Sequence, residues 1–184
     1  MAVERVLITG AGGFIGSNLV DDQLARGRAV TAFDINLDRI AHQRDNPQCK
    51  LVTGDVRDSE LMEKTVPGHD IVFHLASAHL EVNEGPSYFE DINVNAVRRL
   101  IEICQGSDVQ RLVHCSSVGV YGPLEKLPAD EETECRPEIP YEITKLAVRL
   151  GSHGRLEGNG VSCCFEGPVH LVDRHIKLYC DFLR

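Results

Sequence analysis

Short runs of apolar residues alternate along this chain with longer stretches in which apolar and polar positions repeat at helical spacing. The short runs predict six strands, over residues 6–9, 30–33, 51–53, 71–75, 111–115 and 161–165. The longer stretches predict helices over residues 14–26, 59–65, 87–105 and 141–157. Strands that alternate with helices predict an α/β fold built on a parallel sheet.

Two regions fall outside this alternation. The stretch from Tyr121 to Pro140 is acidic and carries four prolines, which predicts an irregular active-site loop. The last fifteen residues fit a helical stripe and a strand equally well, because so short a segment does not separate the two periods. The chain is long enough for one well-packed domain, so we expect a domain over residues 1–168 and a divergent tail over residues 169–184.

Composition and charge narrow the classes of function. A formal net charge of −9, with Lys and Arg scattered among acids, argues against a nucleic-acid partner. No apolar run approaches the ~20 residues of a membrane-spanning helix, and the first residues enter a strand pattern instead of a targeting segment. The seven cysteines form no C-x-x-C pair and lack metal-ligand spacing with the histidines. We therefore expect reduced thiols, no metal site and a cytoplasmic protein.

A glycine-rich segment joins the first predicted strand to the first predicted helix. Gly10, Gly13 and Gly16 recur there at every third position, with Phe14 and Ile15 between the last two. Unpaired N–H groups and the dipole at a helix N-terminus attract anions, and glycine lets a phosphate approach the backbone closely. The segment therefore predicts a site for the pyrophosphate of a dinucleotide. It is typical of the Rossmann fold, here a doubly wound parallel sheet of about six strands with helices on both faces.

Asp34 closes the second predicted strand, eighteen positions after Gly16. A carboxylate at this place accepts hydrogen bonds from the ribose hydroxyls of adenosine and repels a 2′-phosphate, which favours NAD over NADP. Arg39 lies close enough in the sequence to receive a 2′-phosphate, so NADP stays open as the less favoured cofactor.

Tyr141 and Lys145 stand four residues apart on a predicted helix and so share one of its faces. A phenol has an ordinary pKa of about 10, and a nearby ammonium together with a positively charged nicotinamide lowers that pKa. Tyr141 would then remove a hydroxyl proton as hydride leaves, while Ser117, after the fifth predicted strand, holds the reacting oxygen. These three residues predict catalysis of hydride transfer at an alcohol, with Lys145 also holding the nicotinamide ribose.

Six motifs stand in one order along the chain: Thr9-Gly10-x-x-Gly13-x-x-Gly16, Asp34, Gly54-Asp55-Val56, His74-Leu75-Ala76-Ser77, Ser116-Ser117-x-x-Val120-Tyr121-Gly122 and Tyr141-x-x-x-Lys145. Together they resemble the extended short-chain dehydrogenase/reductase superfamily, the NAD-dependent epimerase/dehydratase family. The resemblance runs from residue 4 to about residue 168. It implies an NAD-dependent enzyme with a small-molecule substrate, in the first place a nucleotide sugar.

The resemblance also implies roles for residues that the chemistry alone does not single out. It adds these cofactor contacts: Asp55, Val56, Leu75, Ala76, Ser77, Asn93 and Pro168. By resemblance the first two lie against the adenine, Ala76 lines the nicotinamide side, and Asn93 orders the active site from the long helix. In relatives the helices corresponding to 87–105 and 141–157 pair across a two-fold axis, which implies that a homodimer is open to this chain.

The two positions after Ser117 bear on the reaction. Family members that dehydrate a sugar nucleotide carry an Asp-Glu pair there, and decarboxylating members carry a Glu before Val-Tyr-Gly. This chain has Val118 and Gly119, which transfer no proton, so a plain alcohol–ketone redox core is implied. Epimerisation of a nucleotide sugar through a transient keto intermediate is favoured slightly. The alternative is net dehydrogenation of a secondary alcohol on a sugar or a steroid-like substrate.

The resemblance ends after the sixth predicted strand. Glu166 and Gly167 replace an apolar residue and an arginine of the family pattern, and nothing after them is recognisable. Relatives continue into a small C-terminal domain that closes over the substrate, and we expect this domain to be absent from a truncated chain. A catalytically idle NAD-binding module, or a fragment with little function, is therefore the alternative to an active enzyme.

Overall fold

The computed structural model describes residues 3–79, 84–124, 133–152 and 162–166. Within these ranges the strands are β1 Arg5–Thr9, β2 Ala29–Asp34, β3 Cys49–Thr53, β4 Ile71–His74, β5 Arg111–Cys115 and β6 Ser162–Glu166. The α-helices are α1 Phe14–Ala25, α2 Ser59–Thr65, α3 Pro86–Glu90, α4 Ala96–Gln105 and α5 Pro140–Ser152. Shorter 3-10 helices span Asp38–Gln43 and Val118–Tyr121, and a π-helical turn spans Asp91–Asn95.

The six strands form one sheet in the order β3-β2-β1-β4-β5-β6, and every neighbouring pair is parallel. The chain winds from β1 outward to β3 and then returns to place β4 on the other side of β1. This confirms the predicted doubly wound sheet. The strand order reverses between β1 and β4, and ligands of such sheets bind in the crevice outside the carboxyl ends of the strands at that point.

The strands are buried because helices cover both faces of the sheet. Val6 and Ile8 of β1 pack on one face with α1, while Leu7 points to the other face and packs with α4. All three side chains are fully buried, which explains why the β1 run is apolar at every position. Because successive side chains of β1 point to opposite faces of the sheet, this one strand contacts the helical layers on both faces.

The predicted helix over residues 87–105 is interrupted. A π-helical turn over Asp91–Asn95 separates α3 from α4, although the backbone stays helical from Pro86 to Gln105. The apolar positions expected to face the core do so, since Leu100, Ile101 and the other members of the stripe are buried. The predicted helix over 141–157 is described as far as Ser152.

The described residues cover only part of what the remaining predictions concern. Tyr121 closes a 3-10 helix and Pro140 opens α5, and the described residues between them contain no helix or strand. The thiols of Cys49 and Cys104 are buried, and these two cysteines, like Cys115 and Cys135, form no disulfide. In the same ranges, no helix combines the length and apolar character needed to cross a bilayer. Pro168 and the tail over 169–184 lie outside the described residues.

Candidate active site

The predicted site residues that the structure describes gather at the carboxyl edge of the sheet. The glycine segment follows β1, Asp34 ends β2, and Asp55 follows β3. Leu75, Ala76 and Ser77 follow β4, Ser117 follows β5, and α5 carries Tyr141 and Lys145. Parallel strands bring their carboxyl ends to one edge, so motifs scattered over more than a hundred residues converge beside the β1–β4 crevice.

Three glycines of the first loop are required by the protein's own packing. Gly10 has a φ of 73°, and a Cβ there would lie 2.5 Å from the backbone nitrogen of Ala76. A Cβ at Gly12 would overlap the carbonyl oxygen of Asn36, and one at Gly16 would overlap the carbonyl oxygen of Gly10. The sequence interpretation, which reserved the glycines for a ligand, is therefore incomplete for Gly10 and Gly16 and missed Gly12.

Gly13 differs from the other glycines of this loop. A Cβ there would meet only the carbonyl oxygen of Gly10, at 3.2 Å, and its φ of −71° suits any residue. Gly13 caps α1 without a side-chain hydrogen bond, and Phe14 and Ile15 after it are 65% and 45% exposed. The bare backbone at Gly13, next to the exposed start of α1, suits the approach of a phosphate group.

Asp34 is held by backbone amides next to this loop. Its Oδ2 accepts a hydrogen bond from Gly12 N at 2.9 Å, and its Oδ1 accepts one from Asn36 N at 3.2 Å. The two bonds fix the carboxylate at the end of β2, within the same edge as the open N-terminus of α1. A carboxylate fixed there suits the ribose hydroxyls of a dinucleotide.

The residues expected at the adenine follow β3. Asp55 accepts hydrogen bonds from Arg57, with 2.6 Å between Arg57 Nη2 and Asp55 Oδ2. This hydrogen bond lowers the pKa of Asp55 against the opposing effect of its burial. Val56 is buried and belongs to the core beneath the sheet edge. The segment thus offers an ionised carboxylate and an apolar surface, which together suit a purine ring.

Ser117, Tyr141 and Lys145 come together on the other side of the crevice. The Ser117 hydroxyl lies close enough to the Tyr141 phenol to act on its pKa. Lys145 Nζ lies 5.8 Å from the centre of the Tyr141 ring and donates a hydrogen bond to the Cys115 carbonyl at 3.1 Å. The oxygen of Ser117 also accepts a hydrogen bond from Gly119 N at 3.1 Å. The Ser117 hydroxyl, the Tyr141 phenol and the Lys145 ammonium therefore lie close together, after the carboxyl end of β5 and in the first turns of α5.

Burial dominates the electrostatics of these groups. It raises the pKa of Tyr141, while the neighbouring Ser117 hydroxyl acts in the opposite direction. The sequence predicts that Lys145 lowers the pKa of Tyr141. Within the protein alone, that pKa is raised instead. Lys145 is 4% exposed, and its burial lowers its pKa to about 8, against a nearby Cys115 thiol that raises it. The ammonium is thus charged at neutral pH at a considerable cost in hydration.

Asn93 connects the two sides of the crevice. From the π-helical turn its Oδ1 accepts hydrogen bonds from Ala78 N at 2.8 Å and Ser77 Oγ at 3.0 Å. Its Nδ2 donates to Thr144 Oγ1 at 3.1 Å, and Thr144 donates in turn to the Tyr141 carbonyl at 2.8 Å. One buried amide therefore holds both the segment after β4 and the first turns of α5. Sequence reasoning missed Thr144, whose only signal is its place beside Lys145.

Two buried histidines lie beneath the catalytic group. His74 and His114 stack with ring centres 5.4 Å apart, and Thr9 Oγ1 lies 2.7 Å from His74 Nδ1. Burial lowers the pKa of His74 to about 3 and that of His114 well below its ordinary value, and the Lys145 charge adds to both shifts. Both imidazoles are neutral, so the positive charge beneath the crevice rests on Lys145.

The two positions after Ser117 have no side chain that transfers a proton, as expected. Val118 and Gly119 lie in a 3-10 helix and carry no acid. Gly119 leaves room for Glu142, whose Cγ would lie 2.8 Å from a Cβ at that position. The Glu142 carboxylate accepts a hydrogen bond from Glu138 N at 3.1 Å, at the start of α5.

Comparison with known proteins gives a consistent picture. The model of the NAD dependent epimerase/dehydratase family matches residues 6–170. A UDP-glucose 4-epimerase of Streptomyces lividans is 33% identical over 163 residues, which cover 85% of this chain and 49% of that protein. A 3 beta-hydroxysteroid dehydrogenase/Delta 5-->4-isomerase of Mycobacterium tuberculosis is 34% identical over 145 residues, which cover 74% and 36% respectively.

A solved structure extends the likeness to three dimensions. UDP-glucose 4-epimerase from Brucella ovis, crystallised in complex with NAD, has a TM-score of 0.78 and 25% sequence identity, covering 90% of this chain and 51% of that one. The chain spans about half the length of the curated relatives it matches.

Proposed function

This chain belongs to the NAD-dependent epimerase/dehydratase family, and we propose that it catalyses epimerase-like hydride transfer at a secondary alcohol of a nucleotide sugar. One observation carries the proposal: the Tyr141 phenol lies between the buried ammonium of Lys145, 5.8 Å from its ring centre, and the Ser117 hydroxyl, which is close enough to act on its pKa. The three groups stand at the β1–β4 crevice, beside the open N-terminus of α1.

The glycine loop and Asp34 would hold the dinucleotide. The space over Gly13 and the exposed first turn of α1 suit the pyrophosphate, and the fixed carboxylate of Asp34 suits the adenosine ribose. Because the same carboxylate repels a 2′-phosphate, we propose NAD as the cofactor in preference to NADP. When bound, this cofactor supplies an acceptor for hydride and returns it.

Tyr141 would move the proton of the reacting hydroxyl. Ser117 donates or accepts a hydrogen bond at the substrate oxygen and holds it near the phenol. Within the protein alone the pKa of Tyr141 is raised, so the positive charge of the oxidised nicotinamide would be needed beside Lys145 to favour the phenolate. Val118 and Gly119 carry no acid where dehydrating members of the family have an Asp-Glu pair, which supports epimerisation over dehydration.

Net dehydrogenation is the second candidate. It is favoured by the likeness to the 3 beta-hydroxysteroid dehydrogenase/Delta 5-->4-isomerase, which is 34% identical to this chain over 145 residues. The two reactions differ in their products, because an epimerase returns the hydride to the substrate and a dehydrogenase releases reduced cofactor.

The test begins with calorimetry of the full chain with NAD and with NADP. UDP-glucose is then added to the NAD-loaded chain, and the product sugar and the NADH absorbance are followed together. In Tyr141→Phe we expect conversion to fall by about 10²–10⁴-fold with NAD affinity unchanged, because only the proton-transferring hydroxyl is removed. Tyr88→Phe, which removes a hydroxyl elsewhere and keeps the ring, is the matched control and converts substrate at the original rate.

Each outcome of these measurements supports one of the candidate functions. An isomeric sugar without net NADH supports the epimerase-like reaction, whereas accumulation of NADH with UDP-glucose or a 3β-hydroxysteroid supports the dehydrogenase. Binding of NAD without conversion of any of these substrates would assign the chain to the catalytically idle modules. No heat with either cofactor would overturn the proposal altogether.

We also propose a homodimer formed through α5 and the helical run Pro86–Gln105. Ile143 on α5 is 48% exposed, which is high for a large apolar side chain. Analytical ultracentrifugation tests the proposal, since a monomeric mass at all concentrations would contradict it.

A further inference from the structure

His79 lies beside the catalytic phenol and has no part in the chemistry described so far. Its ring centre is 5.8 Å from that of Tyr141, with an angle of 57° between the ring planes. The imidazole is exposed, whereas Lys145, at the same distance from the Tyr141 ring, is 4% exposed. Tyr141 therefore has a buried cation and a solvent-accessible imidazole at similar distances from its ring.

The position of His79 is fixed by its neighbour in the chain. Both backbone groups of Ala78 are bound by Asn93, which accepts from Ala78 N at 2.8 Å and donates to Ala78 O at 3.3 Å. Asn93 also binds Thr144, which anchors the turn of α5 that carries Tyr141. The same buried amide therefore sets both rings, and their contact is built into the site.

Other titratable groups near Tyr141 are engaged elsewhere. Lys145 donates to the Cys115 carbonyl, and Glu142 accepts a hydrogen bond from Glu138 N at the start of α5. Among the described side chains, His79 is the exposed one that contacts the Tyr141 ring and offers nitrogen atoms to a ligand. A neutral imidazole has one donor and one acceptor, which matches a hydroxyl group that both donates and accepts.

We propose that His79 is a specificity-determining residue that binds a sugar hydroxyl next to the one held by Ser117 and Tyr141. The inference rests on the proposed function and narrows its substrate class to a ring with neighbouring hydroxyls. Such a ring fills both positions, whereas a steroid-like alcohol with a single hydroxyl leaves the imidazole unmatched. A polar group left without its partner in a site costs affinity, so His79 discriminates between the two classes.

The experiment compares binding of UDP-glucose with binding of UDP, which lacks the sugar. Calorimetry is performed on the NAD-loaded full chain as wild type, His79→Ala and His79→Gln. His42→Ala is the matched control, because His42 is also exposed and lies far along the chain in the Asp38–Gln43 helix. Affinity for UDP-glucose is expected to fall about tenfold in His79→Ala, equivalent to one hydrogen bond, and to recover in part in His79→Gln.

Affinity for UDP is expected to be the same in all four proteins, and so is the rise in Tm that NAD produces. Equal affinity of wild type and His79→Ala for UDP-glucose would overturn the proposal, as would an equal loss of UDP affinity. Absence of UDP-glucose binding to the wild type would overturn it as well. Binding that depends on His79 but leads to no conversion would leave the contact standing and defeat only the proposed reaction.

Discussion

The two halves of the crevice are built in different ways. The adenosine half, formed by residues 10–16 and Asp34, is shaped by backbone groups and by glycines that have no room for a side chain. The catalytic half, formed by Ser117, Tyr141, Lys145 and Asn93, is held by side chains, with a bridge across 51 residues from Asn93 to Thr144. The first half is formed mainly by one β-α-β unit, with Gly10 packed against Ala76 after β4, whereas the second half also needs β5 and α5.

This difference teaches where each half is vulnerable. A backbone-built half fails when a side chain is added, because the packed main chain cannot move aside. A half that is held by side chains fails when one is removed, because its partners are left buried without hydrogen bonds. Gly10→Ala adds a side-chain carbon to the first half and Asn93→Ala removes an amide from the second, so the two substitutions test this contrast.

The largest effect is expected for Gly10→Ala. The new Cβ must tolerate a φ of 73° and would lie 2.5 Å from Ala76 N, so the free energy of unfolding should fall by about 4 kcal/mol. Gly13→Ala is the matched control, because its φ of −71° suits alanine and the new Cβ would meet only the Gly10 carbonyl oxygen, at 3.2 Å, so it should cost about 1 kcal/mol. Urea unfolding measures both values.

The same pair separates folding from ligand binding. Gly13→Ala should lose NAD affinity in calorimetry although it stays folded, because the methyl group occupies the space over the first turn of α1. Equal stability losses in the two variants would refute the contrast between these glycines.

The next effect is expected for Asn93→Ala. The change removes a buried amide that binds Ser77, Ala78 and Thr144, and it leaves the Ala78 N–H without its acceptor. We expect the free energy of unfolding to fall by about 3 kcal/mol. Asn95→Ala removes only a hydrogen bond to Asp91 within the same π-helical turn and should cost less than about 1 kcal/mol. Comparable losses in the free energy of unfolding of the two variants would contradict the linking role of Asn93.

The smallest effect concerns the buried charge of Lys145. Its pKa in the folded chain is about 8, below the ordinary value of 10.5, so the unfolded chain binds the proton more tightly. The wild type is therefore penalised below about pH 8 and gains stability as the pH rises from about 8 to about 10.5. Lys145→Met should be more stable than wild type by about 2 kcal/mol at pH 7, and this difference should shrink across the same interval.

The control for this change is Lys64→Met on α2. Lys64 is 75% exposed and pairs only with Glu60, so its replacement should leave the pH dependence of unfolding unchanged. A Lys145→Met variant that is less stable than wild type at pH 7 would contradict the prediction. The expected gain in stability with loss of activity is typical of residues kept for function.

The contrast also explains what the sequence could predict. The strands were evident because consecutive apolar residues such as Val6–Ile8 fit a sheet that is covered on both faces. The glycine segment was evident because its spacing between a strand and a helix can be read directly from the sequence, whereas the packing of Gly10 against Ala76 and of Gly12 against Asn36 cannot. The binding of Asp34 by Gly12 was not evident, because it joins a loop and a strand end that meet only after β1 and β2 have paired.

The catalytic half was predictable in its members and less so in its environment. Tyr141 and Lys145 are four residues apart, which marks a common helix face, but the burial that lowers the pKa of Lys145 comes from β5 and its neighbours. The contact of His79 with Tyr141 leaves no periodic signal, because it depends on the hydrogen bonds of Asn93. The π-helical turn was missed because its apolar positions still fit a helical stripe.

That turn gives the long helical run one place where its length can change without disturbing the core. The Asp91–Asn95 segment holds an extra residue compared with an α-helix, and Phe89 before it and Leu100 after it are both buried. A π-helical turn takes up this residue by turning less per residue, so deleting one residue there would restore a regular α-helix with both side chains still facing the core. The same deletion within α4 would rotate everything downstream by about 100° and carry the apolar stripe away from the sheet.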